Sequence, residues 1–285
     1  MKFIKSENPD GTSVNLYYED WGTGNPVVFI HGWPLDHQMW EHQMRVLPEM
    51  GLRCIAYDRR GFGKSDKPWN GYDYDTFADD LKAVLDQLDL QNVTLVGFSM
   101  GGGEVVRYFS RHGGNRVTKV VLLSSIAPYT LKTDDNPEGV PIETLHEIIT
   151  NIQEDRPGFL TGFSKTFYGV SIVSHQVSQA MLDWNLMVAM QASPRATVEC
   201  VHAFGETDFR TEMHTINVPT LVIHGDSDKI VPIEATSDHA ARLIRDAKYV
   251  VYEDAPHGLF ITEKEQLNAD LLEFIDVKTT SEVQR

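Results

Sequence analysis

The segment 97–101, Gly-Phe-Ser-Met-Gly, places Ser99 between two glycines at the end of the apolar, β-prone run 92–96. A helical pattern follows over residues 100–112. A serine on a sharp strand-to-helix turn is held out from the backbone. The glycines beside it let strand and helix pass closely. The sequence therefore predicts a nucleophile elbow at Ser99, and a sheet flanked by helices to carry it.

The rest of the chain alternates between strand and helix patterns. Short apolar runs bounded by turn residues predict strands at 3–7, 13–20, 26–30, 53–58, 92–96, 117–124, 219–223 and 248–253. Apolar residues at helical spacing predict helices at 37–50, 75–89, 100–112, 195–205, 233–244 and 263–276. Such alternation favours an α/β fold, with a mostly parallel eight-stranded sheet and helices on both faces.

The alternation stops between about residue 127 and residue 193, where helical patterns remain without a clear strand. An all-helical segment between two sheet strands is expected to lie over the strand ends, where open α/β sheets bind their ligands. We therefore predict a core domain made of residues 1–126 and 194–285, with a helical cap, residues 127–193, inserted in it.

Composition excludes several classes of function. A formal net charge of −16 over 285 residues argues against nucleic-acid or anionic-membrane partners. No apolar run is long enough to span a membrane, and the first residues lack the hydrophobic stretch of a signal peptide, so a cytoplasmic location is predicted. Cys54 and Cys200 suggest neither a disulfide framework nor a zinc site, and no His-Glu-x-x-His motif occurs. We predict no metal and no cofactor.

An acid and a histidine follow later strands of the predicted sheet. Asp226 and Asp228 come just after the run 219–223, and His257 follows the run 248–253. Serine, acid, histidine is the chain order that this architecture uses. His257 would take the Ser99 hydroxyl proton, and a carboxylate would orient its imidazole. Spacing alone does not choose between the two aspartates.

An acyl-transfer site also needs backbone donors for the oxyanion. The Met100 N–H follows the nucleophile directly and lies at a helix N-terminus, where the dipole favours negative charge. The loop after the strand 26–30 should supply a second donor. Trp33 is the natural candidate, because Pro34 has no N–H. His31 in the same loop is expected to brace it by hydrogen bonding rather than act as a base.

Longer segments are similar to a known family: 31–35, 58–66, 72–81, 96–105, 206–210 and the surroundings of Asp228 and His257. Over nearly its whole length the chain resembles the α/β-hydrolase fold, and more narrowly the bacterial arylesterases and cofactor-free haloperoxidases (perhydrolases). The resemblance implies a triad of Ser99, Asp228 and His257, which leaves Asp226 as a turn or capping residue. It also implies an oxyanion hole formed by Trp33 and Met100.

The same resemblance implies a small, aromatic-lined substrate pocket. Its expected lining residues are Trp33, Pro34, Phe163, Phe167, Phe204, Ile230 and Val231. The Pro34 carbonyl would accept a hydrogen bond from hydrogen peroxide. Residues 129–131 and Leu145 stand where further aromatics are expected, which leaves the preferred acyl chain open.

The activity implied is hydrolysis of small aryl or alkyl carboxylic esters through an acyl-enzyme. With hydrogen peroxide in place of water, the product would be a peracid that oxidises halide without a cofactor. The expected partners are thus an ester, peroxide and halide, and the resemblance allows a homo-oligomer. Alternative functions are a lactonase or γ-lactamase, a carbon–carbon bond hydrolase, and a small-molecule receptor that keeps the triad.

Overall fold

The computed structural model describes residues 2–171 and 176–276. The strands found there are β1 (Phe3–Glu7), β2 (Ser13–Gly22), β3 (Asn25–Ile30), β4 (Leu52–Tyr57), β5 (Val93–Phe98), β6 (Val117–Leu123), β7 (Thr220–Gly225) and β8 (Lys248–Tyr252). They form one sheet in the order β1-β2-β4-β3-β5-β6-β7-β8. The prediction of eight strands in one sheet is confirmed.

The sheet is mostly parallel. β2 pairs antiparallel with β1 and β4, whereas every pair from β4-β3 to β7-β8 is parallel. All six residues of β5 are buried, so both faces of the sheet centre are covered. Because the carboxyl ends of parallel strands meet at one edge, the residues that follow β3, β5, β7 and β8 lie near one another.

The α-helices of the described residues are α1 (Glu41–Val46), α2 (Tyr74–Gln87), α3 (Met100–His112), α4 (Ile142–Phe167), α5 (Gln179–Ala189), α6 (Pro194–Glu206), α7 (Ser237–Leu243), α8 (Leu259–Thr262) and α9 (Lys264–Ile275). α2 packs against α3, and α1 packs against α9. Among the helices described, none combines the length and the apolar character that crossing a bilayer requires.

The prediction of one continuous helix over residues 37–50 is wrong. The structure divides it into a 3₁₀ turn at His37–Trp40, the short helix α1 and a second 3₁₀ turn at Leu47–Met50. Pro48 lies at the start of that last turn. Proline lacks an N–H and clashes with the carbonyl four residues back, so a regular helix cannot run through it.

The segment between β6 and β7 carries α4 and α5, and α4 packs against both α5 and α6. α4 is kinked, because Asp155 has non-helical backbone angles (φ −150°, ψ 79°) two residues before Pro157. The division into a core and a cap at residues 127–193 stays a prediction. Residues 172–175 of that predicted cap lie outside the described residues.

Cys54 and Cys200 are both buried and free of a disulfide. Burial raises the pKa of each thiol to about 12. Because the thiolate is the reactive form of cysteine, both side chains are chemically inert at neutral pH.

Candidate active site

Ser99 lies between the end of β5 and the start of α3. Its backbone angles are φ 52° and ψ −117°, a region that residues with a side chain rarely adopt. The neighbouring elements hold it there, and the Ser99 N–H donates to the Leu123 carbonyl at 2.9 Å. A strained residue fixed by a strand and a helix is a feature typical of functional sites.

Glycines on either side of Ser99 permit this turn. A Cβ on Gly97 would lie 2.6 Å from the Gly101 carbonyl oxygen, and one on Gly101 would lie 2.5 Å from that of Ile30. No larger residue fits at either position unless the backbone moves. The glycines therefore bring the N-terminus of α3 directly against the end of β3.

Ser99, His257 and Asp228 form a continuous chain of hydrogen bonds. Ser99 Oγ lies 3.0 Å from His257 Nε2, and His257 Nδ1 lies 2.6 Å from Asp228 Oδ2. The three residues come from the ends of β5, β8 and β7, and each is less than a tenth exposed. In this arrangement an imidazole can take the hydroxyl proton while the carboxylate stabilises the resulting imidazolium.

Asp228 is held as an anion. Burial works to raise its pKa, but the charge of His257 and hydrogen bonds from His224 and His257 outweigh burial and lower the pKa below its ordinary value. Its Oδ1 accepts from the N–H groups of Ile230 and Val231, at 2.8 and 2.9 Å. Asp226, by contrast, accepts from the Asp254 N–H at 2.7 Å in the turn between the strand ends.

Two phenylalanine rings hold the His257 imidazole. The ring centroids of Phe98 and Phe167 each lie 4.9 Å from that of His257. The Gly258 N–H donates to the Phe167 carbonyl at 2.8 Å, which ties the histidine loop to the end of α4. The orientation of His257 thus depends on a helix of the predicted cap as well as on the sheet.

The predicted oxyanion donors belong to two elements that meet near Ser99, the loop after β3 and the start of α3. Met100 is the first residue of α3, and Trp33 follows β3 and lines the same cavity as Ser99. The indole of Trp33 is fixed by a hydrogen bond from its Nε1 to the Thr197 carbonyl, at 3.0 Å. Both residues are buried.

His31 braces the loop that carries Trp33. Its Nε2 accepts from the Arg59 N–H and its Nδ1 donates to the Gly32 carbonyl, each at 2.9 Å. Burial lowers the pKa of His31 well below its ordinary value, so the ring stays neutral. The Arg59 guanidinium also donates to the His31 carbonyl and pairs with Glu104 of α3 at 2.8 Å. The loop and the nucleophile helix are therefore linked through one buried ion pair.

A cavity of about 650 Å³ opens above Ser99 and His257. Most of its wall is apolar, and Lys229, Asn151, Glu154 and Asp155 add polar groups. Five of the predicted pocket residues line it: Trp33, Phe163, Phe204, Ile230 and Val231. The aromatic rings of Phe163 and Phe204 lie 5.2 and 5.7 Å from that of Trp33. A substrate placed here meets a ring-lined wall beside the nucleophile.

The other two predicted pocket residues each adjoin a lining residue: Pro34 follows Trp33 in the chain, and Phe167 packs against Phe163 and His257. Pro34 is buried, and Phe167 packs edge-on against His257; neither is among the residues that line the cavity in the described part of the chain. Sequence reasoning also missed lining residues contributed by one face of α4: Ile148, Asn151, Asp155, Phe159, Gly162 and Thr166. Their spacing of three and four residues was the available signal.

A second buried imidazole–carboxylate cluster lies away from Ser99. His37 Nδ1 is 2.6 Å from Asp58 Oδ1 and 3.8 Å from Asp36 Oδ1. Ligand atoms of these three residues lie within 4.8 Å of one another, a spacing that suits a metal ion. However, the Asp58 carboxylate already accepts the His37 and Lys64 N–H groups, both at 2.8 Å. The cluster is therefore satisfied by hydrogen bonds within the protein.

A serine–histidine–aspartate chain at the strand ends of a mostly parallel sheet defines a serine-hydrolase-type site. Comparison with known proteins agrees: residues 25–264 match the family described as the alpha/beta hydrolase fold. This chain belongs to that family.

Relatives are similar over almost the whole chain. A non-heme chloroperoxidase of Kitasatospora aureofaciens is 45% identical, covering 92% of this chain and 96% of that protein. A bifunctional esterase/perhydrolase of Acinetobacter calcoaceticus is 38% identical, with the same two coverages. The crystal structure of a bromoperoxidase from Bacillus anthracis superposes with a TM-score of 0.92 at 45% identity, covering 96% of this chain and 99% of that one.

Proposed function

We propose that this protein is a serine esterase that cleaves small carboxylic esters through an acyl-enzyme on Ser99. The observation that carries the proposal is the hydrogen-bond chain from Ser99 through His257 to Asp228, at the base of an apolar cavity. Neutral aryl and alkyl esters suit such a wall, because burial of apolar groups supplies binding energy without a charged partner.

The proposed reaction has two halves, and the contacts of Ser99 with His257 and of His257 with Asp228 support the proton transfers in both. His257 Nε2 takes the Ser99 proton while Oγ attacks the ester carbonyl, and the N–H groups of Met100 and Trp33 hold the oxyanion. The bond to the leaving alcohol then breaks, and Nε2 returns the proton to the alcohol oxygen. In the second half, Nε2 takes a proton from water, whose oxygen attacks the acyl group. Ser99 is released with its proton and the acid leaves.

We further propose that hydrogen peroxide can replace water in the second half. The acyl group then leaves as a peracid, which passes its terminal oxygen to halide and gives the carboxylate and a hypohalous acid. The support is that a relative covering the same length is named for both esterase and perhydrolase activity. The proposed acceptor for a hydrogen bond from peroxide is the Pro34 carbonyl, in the loop that also carries Trp33.

The test is the hydrolysis of p-nitrophenyl acetate, with bromination measured in acetate and hydrogen peroxide. The wild type should show many turnovers and bromination. Ser99→Ala should lose both by about 10⁴-fold or more, because acylation and proton transfer act as one unit. A single burst with a long-lived adduct would instead identify a receptor. Bromination retained in Ser99→Ala would place the two activities at separate sites.

The matched control is Ser124→Ala. Ser124 is buried at the end of β6, and its hydroxyl has no hydrogen-bond partner within the described residues. Removing it should leave both rates within about twofold, since no polar contact is lost. If both activities fell equally in the two variants, the cause would be general damage to the structure at the strand ends and not the loss of a nucleophile.

A further inference from the structure

A second imidazole contacts the triad aspartate. His224, in β7, is fully buried, and its Nε2 lies 3.0 Å from Asp228 Oδ2. This is the same carboxylate oxygen that contacts His257 Nδ1 at 2.6 Å. Two rings therefore share one oxygen, and only His257 continues to the nucleophile.

The contacts of His224 fix where its ring proton lies. Nε2 is also 3.1 Å from the Val231 carbonyl oxygen, so both of its neighbours are acceptors. Nε2 must therefore carry the proton. Nδ1 lies 2.7 Å from the buried Ser237 Oγ, which can donate its hydroxyl proton to it. One neutral tautomer satisfies all three contacts.

This tautomer gives Asp228 a complete set of donors. Oδ1 accepts two backbone N–H groups, from Ile230 and Val231, and Oδ2 accepts from the two imidazoles. Such a carboxylate can neither rotate nor take up a proton easily. Because Oδ2 is shared, the electron density available to His257 depends on how strongly His224 donates.

We infer that His224 is a positioning residue that acts through Asp228 to orient His257 and to limit its basicity. The inference rests on the proposed function, since it assumes that His257 is the base for Ser99. Ser237 has a supporting part, because its hydroxyl selects the tautomer of His224 that donates to the carboxylate.

The charged groups around the pair are few and can be held constant. His224 faces Asp228 from β7. Lys229, the residue after Asp228, lines the cavity, as do Glu154 and Asp155 of α4. Phe98 and Phe167 cover the two remaining sides of the His257 ring. A change at position 224 therefore alters one neighbour of Asp228 and leaves the rest in place.

The test compares His224→Phe with His224→Gln across a pH profile of kcat/KM for p-nitrophenyl acetate. The phenyl ring fills the site but removes the donor. Asp228 then becomes a stronger acceptor for His257, so the acidic limb should move to higher pH by about half a unit or more. kcat should fall about tenfold because the carboxylate is less constrained, while KM stays within about twofold.

His224→Gln keeps an N–H donor near the Nε2 position, so it should restore the wild-type acidic limb and most of kcat. Ser237→Ala should move the limb in the same direction as His224→Phe, but less. If His224→Phe folds and keeps the wild-type pH profile, the inference fails, whatever happens to its rate. Rates that fall equally in the Phe and Gln variants, with unchanged profiles, would also overturn it.

A measurement on the unaltered enzyme keeps the inference testable if His224→Phe does not fold. Nitrogen-15 NMR of histidine-labelled protein, with the His224 signals identified by their loss in His224→Gln, should show Nε2 protonated and Nδ1 unprotonated. A proton on Nδ1 in the neutral ring would contradict the tautomer. A wild type that does not hydrolyse esters would count against the proposed function alone, because the NMR result is independent of turnover.

Discussion

His257 and His37 each hold an aspartate carboxylate 2.6 Å from Nδ1, and both pairs are buried. His257 presents its other nitrogen to Ser99, beneath a cavity of about 650 Å³. His37 instead packs 5.2 Å from the Tyr17 ring, and its aspartate binds the backbone of the next loop. A short imidazole–carboxylate contact is therefore not a catalytic feature by itself. The nucleophile at the second nitrogen and the open cavity make the difference.

The largest expected effect comes from making the same substitution in both pairs. Asp228→Asn should lower kcat for ester hydrolysis by about 10⁴-fold, because an amide cannot hold His257 in the productive tautomer. Asp58→Asn should leave the activity of the folded protein within about threefold. It should instead lower the free energy of unfolding by about 1–3 kcal/mol, since an amide nitrogen would face the Lys64 N–H.

Steady-state kinetics and urea unfolding on both variants check this. If Asp58→Asn lost activity as severely as Asp228→Asn while remaining folded, the distinction between the two pairs would be wrong.

A smaller effect is expected from an aromatic residue one ring removed from each histidine: Phe163 contacts Phe167, which contacts His257, and Phe3 contacts Tyr17, which contacts His37. Phe163 lines the cavity and packs 5.2 Å from the Trp33 ring, whereas Phe3 lies 5.7 Å from the Tyr17 ring next to His37. Phe163→Ala should lower kcat/KM for aryl esters about tenfold, mainly by raising KM, because apolar contact with the substrate is lost. Phe3→Ala should leave kcat/KM unchanged. An unchanged KM in Phe163→Ala would show that the substrate binds elsewhere in the cavity.

The smallest expected effect is on the pH dependence of stability. Burial, together with the charge of Asp58, raises the pKa of Asp36 from 3.8 to about 6. Between these values the folded protein keeps a proton that the unfolded chain releases, so Asp36 makes the free energy of unfolding fall as pH rises from about 4 to 6. Asp228 affects the pH dependence of the free energy of unfolding in the opposite direction. Its lowered pKa contributes stability that is present above about 3.8 and is lost as pH falls below it.

Asp36→Asn should therefore remove the decrease between pH 4 and 6 and stabilise the protein at pH 7 by at least about 1 kcal/mol. Urea unfolding at several pH values measures this. The side chain should keep its hydrogen bond from the Gln38 N–H, because an amide oxygen also accepts. If Asp36→Asn were less stable than the wild type at pH 7, the ionised Asp36 carboxylate would be shown to stabilise the folded protein.

The positions of the three triad residues could be predicted from the sequence, but some of their contacts could not. Ser99, Asp228 and His257 each follow a short apolar run that reads as a strand, and parallel pairing brings such strand ends together. Asp226 and Asp228 differ by two positions in a turn, and residue spacing does not say which carboxylate reaches the histidine. His224 comes directly after the predicted strand 219–223, and nothing in the sequence shows that its side chain reaches the carboxylate of Asp228.

The cavity wall was less predictable for a different physical reason. Its residues lie on one face of α4, and the rotation of that face depends on packing against α5 and α6 and on the kink before Pro157. A helical stripe of apolar residues identifies a buried face without saying what that face is buried against. Phe167 illustrates this: it belongs to the expected aromatic set but turns to the histidine ring instead of the cavity.

Ser99 and His257 are 158 positions apart in the chain, and this distance has a consequence during synthesis. At ribosomal rates of 5–20 residues per second, the elbow emerges roughly 8–30 s before its base. Throughout that interval the nascent chain carries a serine hydroxyl without an imidazole to activate it, and β7 and β8 are synthesised only late in the interval. Turnover in a growing polypeptide would thus report that translation has passed the eighth strand.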